Sequence, residues 1–246
     1  MLLRSAEVSS LKSLGVYFLL ELKVERPFES TPGQFAMVEV PGRTLMRPFS
    51  IFEVEGPYVR FLVKEKGKGT QELKRIRPGV KLKALCPLGK GFPLPEEGTK
   101  PILLAGGVGI AGLFQLAKEL RRRFFQVQLL WGERGASWFP FTIVSYLLRL
   151  GVDLTLCSED GSIGLKGLLT DLLPPFGEKN VLYACGPKEM LEALMVRVPS
   201  GVKLYLGLEE RMACGVGACL SCVLQTPSGT KRVCVDGPVF ERGELL

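Results

Sequence analysis

The 246-residue sequence contains no histidine. That absence excludes Ser-His-Asp and Cys-His catalysis, the helical metalloprotease motif, His-ligated zinc and Rieske-type centres. Any metal must then sit on sulfur or carboxylate. Long apolar runs are also missing: the two longest uncharged stretches, Pro101–Ala117 and Ala213–Thr230, are broken by glycines. Both fall short of the roughly 20 apolar residues a spanning helix needs, so no membrane association is expected. The opening residues, MLLRSAEVSS, lack the apolar core and small-residue cleavage site of a signal peptide. A cytoplasmic location follows as an expectation, with the seven cysteines present as thiols or metal ligands rather than disulfides. Net charge is +7, yet no basic stripe is interleaved with aromatics. The one tight run, Arg121-Arg122-Arg123, reads as the solvated end of a helix and not as a nucleic-acid patch.

What is present is an ordinary globular composition, 46% hydrophobic and 23% charged. Its organisation changes twice along the chain. Up to about residue 95, short β-type stretches (Val16–Val24, Phe35–Val40, Leu45–Val54, Tyr58–Lys64, Val80–Leu85) alternate with turn signals such as Thr31-Pro32-Gly33 and Pro78-Gly79, which predicts a small antiparallel β-barrel or sandwich. From 96 to 206, strand candidates Ile102–Ala105, Val127–Trp131, Val152–Cys157, Val181–Ala184 and Lys203–Leu206 alternate with helical segments Ile110–Phe124, Phe139–Leu150, Leu168–Leu172 and Lys188–Val198. That alternation predicts an α/β domain on a parallel sheet. Residues 207–246 hold four of the seven cysteines and too little apolar surface to fold alone, a deficit a metal centre would fill.

The most specific motif is Cys214-x4-Cys219-x2-Cys222-x11-Cys234. This is the plant-type spacing of a [2Fe-2S] cluster, with three thiolates from one loop and the fourth from a later strand. Small residues Gly215, Gly217 and Ala218 let backbone N–H groups approach the sulfurs. A four-cysteine zinc site is the rival, although it usually shows two C-x2-C knuckles and this segment has one; four free buried thiols are the third reading. A strand, Ile102–Ala105, runs into Gly106, Gly107 and Gly109 and then a helix, the form of a pyrophosphate-binding turn, which purely structural turns also take. The ribose-binding acid usual some 20 residues further on is not evident. On the barrel side, Arg47-Pro48-Phe49-Ser50 and Lys66-Gly67-Lys68-Gly69-Thr70 offer an arginine, a hydroxyl and a threonine-capped helix start for a second pyrophosphate; each can equally be structural. Cys185-Gly186-Pro187 ends a late parallel strand, where ligand crevices form and where a plain proline-started helix also begins.

The order of these motifs resembles the ferredoxin–NADP reductase superfamily. More narrowly, Glu209–Cys222 together with Glu159-Asp160-Gly161-Ser162, Gly167 and Thr170-Asp171 resembles the electron-transfer subunits of NAD-dependent dihydroorotate dehydrogenase, over essentially the whole chain. The resemblance implies a FAD barrel (1–95), an NAD domain (96–206) and a ferredoxin-like [2Fe-2S] domain (207–246). It implies FAD contacts at Arg47, Pro48, Phe49, Ser50, Gly67, Gly69 and Thr70, with Ser50 near flavin N5, and NAD contacts at Gly106, Gly107, Gly109, Cys185, Gly186 and Pro187. Ser50 and Cys185 are then the residues nearest the chemistry, and Cys214, Cys219, Cys222 and Cys234 the cluster ligands. Phe49 departs from the superfamily's tyrosine and loses a hydroxyl. Glu159 and Asp160 stand where NADP-using members place arginine, which favours NAD by repulsion of a 2′-phosphate. The implied partner is an FMN-containing dihydroorotate dehydrogenase catalytic subunit in a heterotetramer of two each, with electrons passing through FMN, cluster and FAD to NAD⁺. A reductase subunit serving ferredoxin or another acceptor, and a zinc-stapled binding module, are the alternatives.

Overall fold

The first strand is long and mostly exposed. In the computed structural model, which describes residues 2–245, β1 (Leu2–Leu14) buries only Ala6 and Val8 fully. Positions 1 and 246 of the expected first and third domains lie outside the described residues. Ladders on both flanks hold β1 in place. It pairs with β2 (Tyr17–Val24) through a bulge between Val8 and Ser10, and with β7 (Lys81–Leu88). Around it lie β3 (Phe35–Val38), β4 (Arg47–Ser50), β5 (Glu53–Glu55) and β6 (Tyr58–Lys64), in the antiparallel order β4-β3-β7-β1-β2-β6-β5. Edge strands β4 and β5 are separated in the chain only by Ile51 and Phe52, so the sheet edges are drawn together and the sheet rolls into a barrel. Val8, Phe18, Leu20, Ile51, Phe61 and Val63 fill it. The stretch Leu45–Val54, expected as one strand, is therefore two. A short helix α1 (Lys68–Lys74) connects β6 to β7.

The second sheet runs β8 (Lys100–Gly106), α2 (Ile110–Arg122), β9 (Gln128–Glu133), α3 (Phe141–Arg149), β10 (Asp153–Ser158), β11 (Leu165–Lys166), β12 (Asn180–Cys185), α4 (Lys188–Arg197) and β13 (Lys203–Gly207). Its core order is β10-β9-β8-β12-β13, all parallel, with β8 the first strand and the order reversing between β8 and β12. Alternate side chains cover opposite faces: Leu103 packs under α2 and α3, while Ile102 and Leu104 pack with Leu191 and Leu194 of α4. Helix α2 buries Ile110, Leu113, Phe114, Leu116 and Leu120. At about 1.5–3 kcal/mol per side chain, that face outweighs an N-terminus that no side chain caps. The expected helix Leu168–Leu172 is only a 3₁₀ turn, Leu169–Asp171, because Pro174 and Pro175 follow at once.

The last segment forms a hairpin, β14 (Val223–Thr226) and β15 (Gly229–Arg232), and then β16 (Val239–Glu241), which returns to pair antiparallel with β13. Arg242 anchors this return, donating to the carbonyls of Val198, Ser200 and Val202 at 2.6, 2.9 and 3.2 Å. Cys222, Val233, Cys234 and Phe240 pack on Phe35, Met37 and Leu88 of the barrel. Among the described residues, no helix is long and apolar enough to cross a membrane.

Candidate functional site

In a doubly wound sheet the ligand crevice opens at the carboxyl ends of the strands where the order reverses, here between β8 and β12. Two turns meet there. Gly107–Gly109 form a 3₁₀ turn leading straight into α2, whose first N–H groups have no side-chain partner and so face the crevice end as donors. A methyl on Gly106 would lie 2.5 Å from Met190 Sδ and 2.8 Å from Pro187 Cδ. One on Gly109 would run into the Cys185 carbonyl and lie 2.8 Å from Gly186 N. The glycines thus permit a backbone-on-backbone approach of the two turns. Trp131 Nε1–H donates to the Gly107 carbonyl at 3.1 Å and holds the turn from β9.

The barrel supplies the other wall. A methyl on Gly112, in the first turn of α2, would lie 3.1 Å from Cys185 Sγ and 3.6 Å from Ser50 Oγ, so β4 and the end of β12 converge on one point. Arg47 curls back, donating to the carbonyls of Leu45 and Met46 at 2.8 and 3.2 Å. Its Nε would stand 3.3 Å from a methyl on Gly69, which brings Arg47 and the Gly67–Thr70 turn together. Thr70 caps from inside α1: its Oγ1 accepts from Lys66 N at 2.9 Å and Gly67 N at 3.1 Å. Half-buried Phe49 sets its ring 6.3 Å from Phe61, at the barrel's core, and half-buried Pro48 pairs with Met37.

Burial pushes the Cys185 thiol up, and the Glu209 carboxylate adds to the shift. Glu209, quoted above only within a resemblance, is thereby placed at the crevice. Its own carboxyl is raised by burial and pulled back by Lys66, although the residue keeps exposed surface. The signal available in the sequence was its place two residues beyond a parallel strand's carboxyl end. Asp160 and Glu159 follow β10 and are exposed. Ser162 N and Oγ donate to Asp160 Oδ1 at 2.8 and 2.6 Å and hold its carboxyl below the ordinary range. The acid missing from its usual place after the glycine turn is Glu133, the last residue of β9. Its carboxylate is turned into the barrel, onto Tyr17 and Lys64.

The four C-terminal cysteines form two pairs. Cys219 is hydrogen-bonded to Cys214, and Ser221 with Cys214 lowers its thiol to about 6. Cys234 is raised by burial and by Cys222 beside it. Backbone N–H groups point at the sulfurs: Val216 N and Cys219 N donate to Cys214 Sγ, both at 3.4 Å, and Gly217 N to Cys234 Sγ at 3.2 Å. Left-handed φ values of 71° and 81° explain glycine at 215 and 217. Among the described residues no three Cys, Asp or Glu side chains close round a single metal ion. Zinc requires four ligands about one point, whereas a two-iron cluster takes its thiolates pairwise, so this donor set suits [2Fe-2S] better than zinc.

A family model described as the iron–sulfur cluster binding domain of dihydroorotate dehydrogenase B matches residues 209–246. The dihydroorotate dehydrogenase B (NAD(+)) electron transfer subunit homolog of Aquifex aeolicus (strain VF5) is 41% identical, covering 87% of this chain and 86% of the relative. The electron transfer subunit of Clostridium perfringens (strain 13 / Type A) is 35% identical over 94% and 92%. A solved structure of an NADH-dependent reduced ferredoxin–NADP oxidoreductase superposes with a TM-score of 0.85 at 25% identity, covering 98% of this chain and 89% of that one. A ferredoxin reductase of carbazole 1,9a-dioxygenase, with a TM-score of 0.72 and 20% identity over 82% and 66%, shares the fold. With two full-length relatives above 30% identity and its cluster loop matched, the chain belongs to the electron transfer subunits of dihydroorotate dehydrogenase B.

Proposed function

We propose that this chain passes electrons between a dihydroorotate dehydrogenase catalytic subunit that carries FMN and NAD(H), by way of a [2Fe-2S] cluster and FAD, in pyrimidine biosynthesis. The observation that carries the reading is a juxtaposition on the barrel wall. The loop at Gly215 lies against Met37 of β3, and the strand paired with β3 carries Arg47–Ser50, which meets Cys185 at Gly112. Neighbouring strands β3 and β4 thus link the cysteine loop to the crevice, which supports a short path between the three proposed binding places.

In this reading residues 1–95 hold FAD, with Arg47 and the turn at Gly67, Gly69 and Thr70 toward its phosphates and Pro48, Phe49 and Ser50 beside its ring. Residues 96–206 hold NAD, with Gly106, Gly107 and Gly109 toward the pyrophosphate, Glu159 and Asp160 toward the adenosine side, and Cys185, Gly186 and Pro187 beside the nicotinamide. Residues 207–246 hold the cluster on Cys214, Cys219, Cys222 and Cys234. FAD when bound exchanges a hydride with nicotinamide and single electrons with an iron–sulfur centre. The chain itself orients and excludes water: Ser50 and Cys185 border the meeting point, and no general acid or base is required of a sequence without histidine. The partner assembly is two of each subunit. With four cysteines as cluster ligands and Cys86, Cys157 and Cys185 as buried thiols, a reducing cytoplasm is the compartment this reading requires.

The test is to coexpress the chain with a candidate catalytic subunit and record its visible spectrum. Flavin and iron–sulfur bands that bleach with NADH and recover with orotate are expected. Bleaching without recovery would move the acceptor elsewhere, and a colourless protein would overturn the reading.

Nucleotide choice gives a second expectation. Because the Asp160 carboxyl is held low, its charge is present throughout about pH 5.5–8, far above where an aspartate titrates. The NADH-to-NADPH ratio of kcat/KM should be flat above about pH 7, where a 2′-phosphate with a second pKa of about 6 is fully charged, and Asp160→Asn should lower it several-fold. A ratio that changes between about pH 8.5 and 7 would assign the discrimination to another group.

A further inference from the structure

Barrel and α/β domain share one continuous core, in which Tyr17, Phe52 and Leu62 join residues of α2 and β9. On the α2 flank Phe52 stacks on Phe114 with ring centroids 3.9 Å apart, and polar pairs lie beside the stack: Lys118 of α2 with Glu53 of β5, and Gln115 Nε2 donating to the Ser30 carbonyl at 3.0 Å. These contacts hold the middle of α2 to the barrel. The flank at β9 reaches the glycine turn. Tyr17, the first residue of β2, and Lys64, the last of β6, are partners in the barrel ladder, and both reach the carboxylate of Glu133 at the end of β9. Tyr17 Oη–H donates to one carboxylate oxygen and Lys64 Nζ to the other at 3.2 Å.

We infer that Tyr17, Glu133 and Lys64 form a cross-domain latch that fixes where the glycine turn stands relative to Ser50, making Tyr17 and Glu133 positioning residues for hydride transfer. This rests on the function proposed above. Three observations support it. First, the Glu133 side chain is only 2% exposed, so a carboxylate is held where its charge loses most of its hydration. Packing alone does not need this, because apolar replacements of buried ion pairs are often neutral for stability. Burial accordingly holds the Glu133 carboxyl above its ordinary range, against Tyr17, Lys64 and Arg134. Second, the latch touches the turn: a methyl on Gly107 would lie 3.6 Å from Lys64 Nζ and 3.9 Å from Glu133 Oε2. Third, the strand that ends in Glu133 also carries Trp131, which holds the Gly107 carbonyl. Lys64 is braced further by the ring of Trp138, 4.6 Å from its Nζ. Hydrogen bonds from the barrel to Glu133 and from Trp131 to the turn are thus joined through one strand, β9.

The pyrophosphate half of a dinucleotide would sit on the α/β domain whether or not the latch is made, whereas alignment of its nicotinamide with the barrel depends on it. Loss of the latch should slow transfer and leave affinity. The near-isosteric variants Tyr17→Phe and Glu133→Gln are prepared as FAD-loaded protein, and reduction by NADH is followed anaerobically in single turnover. Each should lower the limiting rate about tenfold with half-saturation moved less than about twofold, as a misplacement below an ångström would. The double variant should be no slower than the worse single one, since the pair acts as a unit. Each single variant removes a partner from a buried group and should melt a few degrees lower while staying folded at the assay temperature, and in the flavin-free chain amide exchange should rise at Gly106–Gly109 and Arg134–Trp138 while β1 and β2 stay protected. Unchanged limiting rates in both folded variants would overturn the latch, as would rates that fall only in step with the melting temperature. A wild-type protein that NADH does not reduce would overturn the function instead, leaving amide exchange to decide the latch.

Discussion

Cys222→Ser should cut electron transfer to the dihydroorotate dehydrogenase partner by about 100-fold or more, while NADH-driven reduction of a dye through FAD stays within about twofold. The lower bound follows from second-shell losses of 10–100-fold at metal sites; a direct ligand must cost at least as much. Cys222 is 2% exposed and packs with Cys234, Val233 and Phe240 against barrel residues Phe35, Met37 and Leu88. A serine hydroxyl there is a poor substitute for a thiolate and is left in apolar surroundings. The rest of the segment has independent anchors, in β16 on the second sheet and Arg242 on the carbonyls after α4. Ser50 of the crevice is joined to Phe35 by the β3–β4 backbone ladder, which a change at the Cys222 side chain does not break. Iron content, the visible spectrum and the two activities are measured together. Equal loss of both activities would mean that the four thiols serve the fold and not the current.

The parts of the molecule legible in its sequence are those where residue type and local spacing decide the outcome. Cysteine spacing alone gives the cluster loop, because three ligands lie within nine residues and the loop needs only glycine at 215 and 217 to bring N–H groups to sulfur. Helix α2 begins at Ile110 as expected, since the glycine turn and the apolar period both mark it. Strand β1 was not legible: its 13 residues bury two side chains, and its place comes from ladders to β2 and β7. Glu133 was invisible for a related reason. Its partner Tyr17 is 116 residues away, and only the folded interface reveals that this acid at the end of β9 faces the barrel. Asp160 was legible as a charge but not as a loop residue, because its bond to Ser162 depends on the turn that follows β10.

Gly109→Ala should abolish rapid reduction by NADH, lowering the rate at a fixed NADH concentration by about 100-fold, and should leave FAD bound. The reason is spatial, not conformational. Gly109 has φ −55° and ψ −23°, which alanine adopts freely. Its added methyl, however, would collide with the Cys185 carbonyl and stand 2.8 Å from Gly186 N. Both obstacles are backbone, so no rotamer change relieves them, and the turn after β8 must move away from the turn after β12. Those turns form the α/β wall of the crevice at the switch point, and the movement carries the first N–H groups of α2 with it. Overpacking of this kind costs about 1–3 kcal/mol in stability, which urea unfolding will read. Gly201→Ala is the matched control, because a methyl there meets nothing within 4 Å. It should change stability by less than about 0.5 kcal/mol and leave the reduction rate unaltered. The barrel side is untouched by either change, so the flavin absorbance of purified Gly109→Ala should equal that of the wild type. If folded, FAD-loaded Gly109→Ala were reduced by NADH at the wild-type rate, the nicotinamide would have to bind away from these two turns, and the assignment of Gly106, Gly107, Gly109 and Cys185 would fall together.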